Sequence, residues 1–408
     1  MQNFMSVAQA KASVRRLERI CSARATVKTL TDLAVCYFVL DEVPSAFKLA
    51  QLAFEKDPHN PVVVGNLALI LNDLGQRESA HKTFEMAYKE LAPEDHYAAL
   101  GYAESLLRKG LWLEAWPIYE FAREQAKEDS AIAAGIPETV KLWNGKSPVS
   151  QLLLIEEGGF GDSITYSRWL PELTKRNIDW KYMPYDELRG FYERASWCGP
   201  ERLVSPGEKP QVSHWTTTFS LPSIFGVESN SVPTLPEPFK ALTKLQPKYQ
   251  RDKDNPLPAI GLCWSSEETR HGGRKVHSLS EGQAVRLACR TDHLVNWVNL
   301  QHDIKMPEPF VNVKFSTMEE LAALMVNLDA VVAVSSGPMT LAHALGKKLI
   351  ILLSSNPDWK FLESGASPFY PKAITIRSSA QGIEGAVTGA IEIVAKNWPA
   401  ELKRIVAG

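Results

Sequence analysis

Gln151-Leu152-Leu153-Leu154-Ile155-Glu156-Glu157-Gly158-Gly159-Phe160-Gly161-Asp162 is an apolar run that ends in a glycine-rich turn. The stretch Gln151 to Ile155 has the length and composition of a buried strand. Three glycines in four positions then let the backbone turn sharply and come close to a bound molecule. Beyond the turn, Tyr166, Trp169, Leu170 and Leu173 recur at i, i+3, i+4 and i+7, one face of a helix. Pro171 is expected to bend that helix rather than abolish it. Strand, glycine turn and helix open a Rossmann-like unit, whose ligands gather at the strand's carboxyl end. A dinucleotide fingerprint is excluded, because Gly159-x-Gly161 needs a third glycine where Ile164 stands. No GKS or GKT follows, so a nucleotide P-loop is excluded too. Asp162 is left at a helix N-terminus beside a cleft. It reads either as an N-cap, a place Asp favours, or as a general base.

With Trp169-Leu170-Pro171 downstream, this stretch resembles the E-Q-G-L-G-D…Y-L-P signature of bacterial TPR-containing glycosyltransferases. Those enzymes are similar to the heptosyltransferases and, more distantly, to the protein O-GlcNAc transferases. The resemblance implies that Asp162 is the catalytic base and that Glu157, Gly158, Gly159 and Gly161 form an acceptor-side loop.

The chain has 408 residues, enough for two or three domains, and a net charge of −2. That balance advertises no nucleic-acid or membrane surface, although a local basic patch is compatible with it. Five cysteines (Cys21, Cys36, Cys198, Cys263, Cys289) show no paired spacing, which suits a reducing compartment. No run approaches the roughly 20 apolar residues of a membrane helix. The expectation is a soluble cytoplasmic protein.

Residues 1 to 135 read as helical repeats. Ala46, Ala80 and Ala115 are 34 and 35 residues apart, and Ala53, Ala87 and Ala122 repeat those intervals. Ala50, Phe84 and Tyr119 fill a third register. Gly75 and Gly110 stand in the turns, Pro58 and Pro93 end second helices, and residues 5 to 25 suit a capping helix. A period near 34 with small residues at helix crossings is the TPR pattern. Such a stack offers a groove for a peptide or partner protein, or a surface for dimerisation.

Residues 136 to 250 read as a first α/β domain. Leu142-Trp143-Asn144-Gly145 resembles the family's W-D-G, and Ser220-Leu221-Pro222 its S-L-P. Strands are expected at Asp179 to Met183 and His214 to Phe219, with a helix at Glu187 to Arg194. The aromatic residues here (Trp180, Tyr182, Tyr185, Phe191, Tyr192, Trp197, Trp215, Phe219) are core by default, although aromatic walls also hold sugars. His214 reads as a polar loop residue. Asp252-Lys253-Asp254 lies in a charged, flexible stretch rather than after a buried strand, and so reads as solvated rather than as a metal site.

Residues 251 to 408 read as a second α/β domain. Ala259 to Trp264 is a buried-strand pattern resembling the family's I-G-L-x-W, and Leu294 to Gln301 matches a strand ending in S-L-Q. Lys275-Val276-His277-Ser278 stands where the family carries R-x-R-S; a basic loop there suits a diphosphate. Ser335-Ser336-Gly337-Pro338-Met339-Thr340-Leu341-Ala342-His343-Ala344-Leu345-Gly346 resembles the heptosyltransferase D-S-G-P-M-H-L-A-A-A-L-G. A helix start of this kind offers free amides and a dipole to a phosphate. Two residues depart: Ser335 replaces Asp and Thr340 replaces His, removing a cationic imidazole; His343 reads as core. Asn356-Pro357-Asp358-Trp359 and Ser367-Pro368-Phe369-Tyr370-Pro371 match P-D-W and S-P-W-Y-P. A last helix, Gly382 to Lys396, is expected to cross the domain boundary.

The repeat register gives TPR repeats over residues 1 to 135. The resemblance, spanning about 140 to 375, implies that a GT-B fold follows, two Rossmann-like domains closing by a hinge on one cleft. It implies a metal-independent glycosyltransferase without cofactor, using a nucleotide sugar. Lys275, His277, Gln301, Ser336, Gly337, Pro338, Met339 and Thr340 would hold the donor. The acceptor is a protein or saccharide hydroxyl by preference, with a hydroxylated DNA base not excluded; the TPR groove would take an acceptor or partner, and oligomerisation stays open. The other reading is a non-catalytic TPR scaffold with a degenerate transferase domain.

Overall fold

A computed structural model describes residues 5–205, 207–208, 210–236, 248–251, 255–266, 278–378 and 383–398. The chain begins with eight helices: α1 (Val7–Ala23), α2 (Val27–Val39), α3 (Val43–Lys56), α4 (Pro61–Asp73), α5 (Arg77–Met86), α6 (His96–Arg108), α7 (Trp112–Ala122) and α8 (Glu124–Ala133). Several of the starts and stops have a local cause. Asn60 and Asp95 cap α4 and α6 by accepting hydrogen bonds from the next free amides. Gly75 and Gly110, at φ 74° and 81°, end those helices in a left-handed turn that a Cβ would strain. The alanines of the 34-residue register, Ala46, Ala80 and Ala115, are buried where helices cross. Gly101 serves the same end, since a Cβ there would lie 2.3 Å from the Phe84 ring.

The first α/β domain comprises β1 (Lys141–Leu142), β2 (Leu152–Ile155), α9 (Phe160–Tyr166), α10 (Leu170–Lys175), β3 (Trp180–Met183), α11 (Asp186–Glu193), β4 (His214–Thr217) and α12 (Leu221–Ile224). Its parallel sheet has the order β1-β4-β2-β3. The helix expected through Leu173 runs in three pieces, α9, a 3-10 turn at Ser167–Trp169, and α10. Pro171 sits in the first turn of α10, where its missing amide costs least. The face read from the sequence is the buried one, with Tyr166, Trp169, Leu170 and Leu173 all inside.

The second domain comprises β5 (Ala259–Cys263), α13 (Glu281–Thr291), β6 (Asn296–Asn299), β7 (Val311–Asn312), α14 (Met318–Met325), β8 (Ala330–Val334), α15 (Gly337–Ala344), β9 (Lys348–Leu353), β10 (Ile374–Arg377) and α16 (Glu384–Asn397). Its sheet is again parallel, ordered β10-β9-β8-β5-β6-β7. Every residue of β2, β5 and β8 is buried, as strands covered on both faces must be. The chain is therefore a helical repeat stack followed by two Rossmann-like domains, the GT-B arrangement. One expectation is corrected: α16 does not cross the boundary. Its apolar residues Ala386, Val387, Ala390 and Val394 join the core of its own domain, with Leu287, Ile350 and Leu352.

The repeat stack is docked on both domains. Trp116 donates from its indole to the Val227 carbonyl of the first domain at 2.8 Å. The loop between β9 and β10 packs on the other side, with the Trp359 ring edge-on to Trp112 and Trp116 at 5.5 and 5.9 Å. Arg77 reaches the carbonyls of Ser355 and Glu363 at 3.1 and 3.0 Å. Trp112 is fully buried at this junction. Trp112→Ala is expected to cost about 3–5 kcal/mol through the cavity left behind, read as a fall of several degrees in the thermal midpoint followed by circular dichroism.

Candidate functional site

The carboxyl ends of the two sheets face one cleft of about 1100 Å³. Gly158 makes the turn after β2 at φ 86°, and a Cβ there would meet the Phe219 ring at 2.8 Å. Tyr185 pins the turn by donating to the Gly158 carbonyl at 2.7 Å. Gly159 is the N-cap of α9, so Asp162 is the third residue of the helix and not its cap. Its Oδ2 lies 3.5 Å from the Gly159 amide, a long contact. Its Oδ1 lies 2.9 Å from the Lys360 ammonium, which also approaches Asp358 Oδ2 at 3.3 Å. Burial pushes the Lys360 ammonium's pKa down, but the carboxylates of Asp162 and Asp358 outweigh it and hold it above the ordinary lysine value.

Opposite stands the helix start of α15. Ser336 caps it, accepting from the Met339 amide at 3.4 Å and donating to the Val334 carbonyl at 3.0 Å. Thr340 is buried, its hydroxyl 3.3 Å from Tyr370 Oη. Tyr370 Oη is also 3.3 Å from Thr165 Oγ1 of α9, which ties the two helices together. A Cβ on Gly161 would lie 3.1 Å from Gly337 Cα, so the two glycine turns are in near contact. Gln301, Ser335, Ser336, Gly337, Pro338, Met339 and Thr340 all line the cleft. Gln301 is held in place by accepting from the Ser265 amide at 3.0 Å. Lys275 and His277 lie outside the described residues, as does the Asp252–Asp254 pair.

The structure corrects one member of the acceptor-side loop. Gly158, Gly159, Phe160, Gly161 and Asp162 line the cleft, but Glu157 does not. Its carboxylate turns away to the buried Arg123 guanidinium, with Nε to Oε1 at 2.9 Å. Arg123 comes from the junction of α7 and α8 and also holds Glu120 at 3.2 Å, so Glu157 joins the repeat stack to the first domain. A buried guanidinium without a partner would cost several kcal/mol, which explains the pairing.

The other candidates divide, and His214 stands in a strand rather than in the loop expected of it. Trp180, Tyr182, Phe191, Tyr192 and Trp215 are core, whereas Tyr185 lines the cleft with Phe160 edge-on at 5.4 Å. His214 begins β4, at the sheet end away from the cleft, and meets Ser213 Oγ at 3.0 Å. His343 is half-buried against the Tyr370 ring. Burial, then the nearby Arg168, pushes its imidazole down to about 4, so it is neutral near pH 7 and supplies no charge in place of the absent histidine.

Three site residues went unread in the sequence. Lys360 and Asp358 flank the Trp359 of the P-D-W match, and a lysine inside Trp359-Lys360-Phe361 is a charge in an aromatic run, the signal that a paired buried cation leaves. Glu156 follows β2 directly. Its carboxyl is surrounded by the hydroxyls of Ser163, Tyr182 and Thr218, and burial above all pushes it up to about 8. It props the turn from below as a mostly protonated acid at neutral pH.

No family model matches the chain. Protein FlbA of Caulobacter vibrioides is 22% identical over 375 residues, 82% of this chain and 61% of its own length. The chain thus spans about three fifths of that relative. Among solved structures, the Escherichia coli ADP-heptose LPS heptosyltransferase II is similar with a TM-score of 0.42 and 15% identity, over 60% of this chain and 99% of that one. The O-GlcNAc transferase of Thermobaculum terrenum is similar with a TM-score of 0.34 and 11% identity, over 98% of this chain and 90% of that one.

Proposed function

We propose that the chain is a glycosyltransferase that moves a sugar from a nucleotide-sugar donor to an acceptor hydroxyl. One observation carries this reading. A carboxylate on a glycine turn and the N-terminus of α15, from different domains, face each other across one cleft with Gly161 against Gly337. Asp162 would take the proton of the acceptor hydroxyl while the oxygen bonds to the anomeric carbon. The bond from that carbon to the diphosphate breaks, and the departing nucleoside diphosphate keeps the electron pair. The Gly337 amide and the dipole of α15, with Lys275 as cation, would stabilise that growing charge.

The donor side would be the second domain and the acceptor side the first. A protein or saccharide hydroxyl is the preferred acceptor, with the repeat stack as its recruiting surface. All five cysteines are unbonded, which fits a reducing compartment. Among the described residues no helix is long and apolar enough to cross a membrane.

Incubating the protein with UDP-, ADP-, GDP- and CMP-sugars should release nucleotide from at least one of them, measured by mass spectrometry. No release, with no nucleoside diphosphate binding by calorimetry, would replace this reading by that of a TPR scaffold. Turnover is also expected to survive EDTA. Activity that disappears with chelator and returns with Mn²⁺ or Mg²⁺ would overturn the metal-independent mechanism.

A further inference from the structure

Among the described residues that line the cleft, Lys360 is the only lysine or arginine, and it is 8% exposed. Burying an ammonium costs several kcal/mol unless it is well paired. The two partners come from different domains: Asp358 from its own loop at 3.3 Å, and Asp162 from α9 at 2.9 Å. One cation is thus shared by two carboxylates.

Lys360 is itself held from several sides. Its amide donates to Asp358 Oδ1 at 2.9 Å, and its carbonyl accepts from Ser367 Oγ at 2.7 Å. Its neighbour Trp359 is wedged among Trp112, Trp116, Tyr119 and Phe369, three of which belong to the repeat stack. An ammonium on so fixed a backbone has little freedom, and what it holds is held accurately. Among the described residues the Asp162 carboxylate has no comparable second tether, since its Oδ2 makes only the 3.5 Å contact to the Gly159 amide there.

We infer that Lys360 is a positioning residue for Asp162, an inference that rests on the transferase reading. Its ammonium fixes Oδ1 and leaves Oδ2, beside the Gly158–Gly159 backbone, to take the acceptor's proton. Through Trp359 the repeat stack becomes the foundation of the base, although no described residue of the stack lines the cleft.

The test compares wild type, Lys360→Met and Lys360→Arg in three measurements: turnover of the nucleotide-sugar panel, calorimetric binding of UDP, ADP and GDP, and crystal structures. Lys360→Met should lose about 100-fold in kcat, the cost of roughly 1 Å of misplacement. Its nucleoside diphosphate affinity should change less than threefold, and its Asp162 carboxylate should turn away from the wild-type position. Lys360→Arg, which keeps the cation, should recover to within about tenfold of wild type.

Wild-type kcat in Lys360→Met overturns the proposal. An affinity loss as large as the loss in kcat also overturns it, and makes Lys360 a phosphate ligand instead. If wild type turns over none of the panel and binds none of the nucleoside diphosphates, the transferase reading falls. The positioning claim is then decided by the crystal structures, and an Asp162 carboxylate that keeps its place in Lys360→Met overturns it. Should that variant not fold, Asp358→Asn/Lys360→Met removes one of the two carboxylates that Lys360 holds and carries the same expectations.

Discussion

Asp162→Asn should lower turnover by about 10²–10⁴-fold, the range a general base contributes, while leaving the fold intact. Asparagine has nearly the shape of aspartate, so α9 keeps its first turn and the amide oxygen can still face Lys360. What disappears is the capacity to hold a proton. Lys360 retains Asp358 at 3.3 Å, so the substitution leaves no unpaired buried cation behind. Nucleotide release by the variant, with its folding verified by circular dichroism, gives the answer. Turnover within a few-fold of wild type would mean that the carboxylate only braces the helix start.

Gly161→Val should be nearly as damaging, by about 10²-fold in turnover, without touching a charge. A first side-chain carbon at this position would lie 3.1 Å from Gly337 Cα, 3.4 Å from Gly337 N and 3.3 Å from Thr340 Oγ1. Two of those three atoms are backbone and cannot rotate aside. A methyl group would require shifts of a few tenths of an ångström, and the branched valine side chain more. Displacing the base from the helix start by about 1 Å costs roughly 10²-fold. Gly337→Ala is the control, because a Cβ there meets only Gly161 N at 3.8 Å, an ordinary contact. It should stay within a few-fold of wild type. Equal losses in both variants would show that the two turns are not apposed when the enzyme works.

Much of this was legible before any coordinates. The repeat register at Ala46, Ala80 and Ala115 named the helix crossings, because only small residues let helices approach so closely. The apolar runs at Leu152 and Ala330 are the central buried strands, because a parallel sheet covered on both faces tolerates few polar residues. The edge strands β1, β7 and β10 were not legible. β1 and β7 are only two residues long, and β10 is half-buried, too little pattern for a period of two to show.

The site divides in the same way. Asp162 and Ser336 to Thr340 could be found because each lies on a local motif, a turn whose glycines and cap are contiguous in the chain. By itself the sequence determined a repeat stack and two α/β domains, and it singled out two loops, at Asp162 and at Ser336 to Thr340, that line one cleft. Tertiary structure alone decided that Glu157 serves Arg123 rather than the acceptor, and that Gly161 rather than Gly337 is the crowded glycine. It also decided that Asp162 is paired with a lysine 198 residues further on. Periodicity and caps are written in neighbouring residues, whereas an ion pair between domains depends on how whole sheets are set against each other. No spacing along the chain records that.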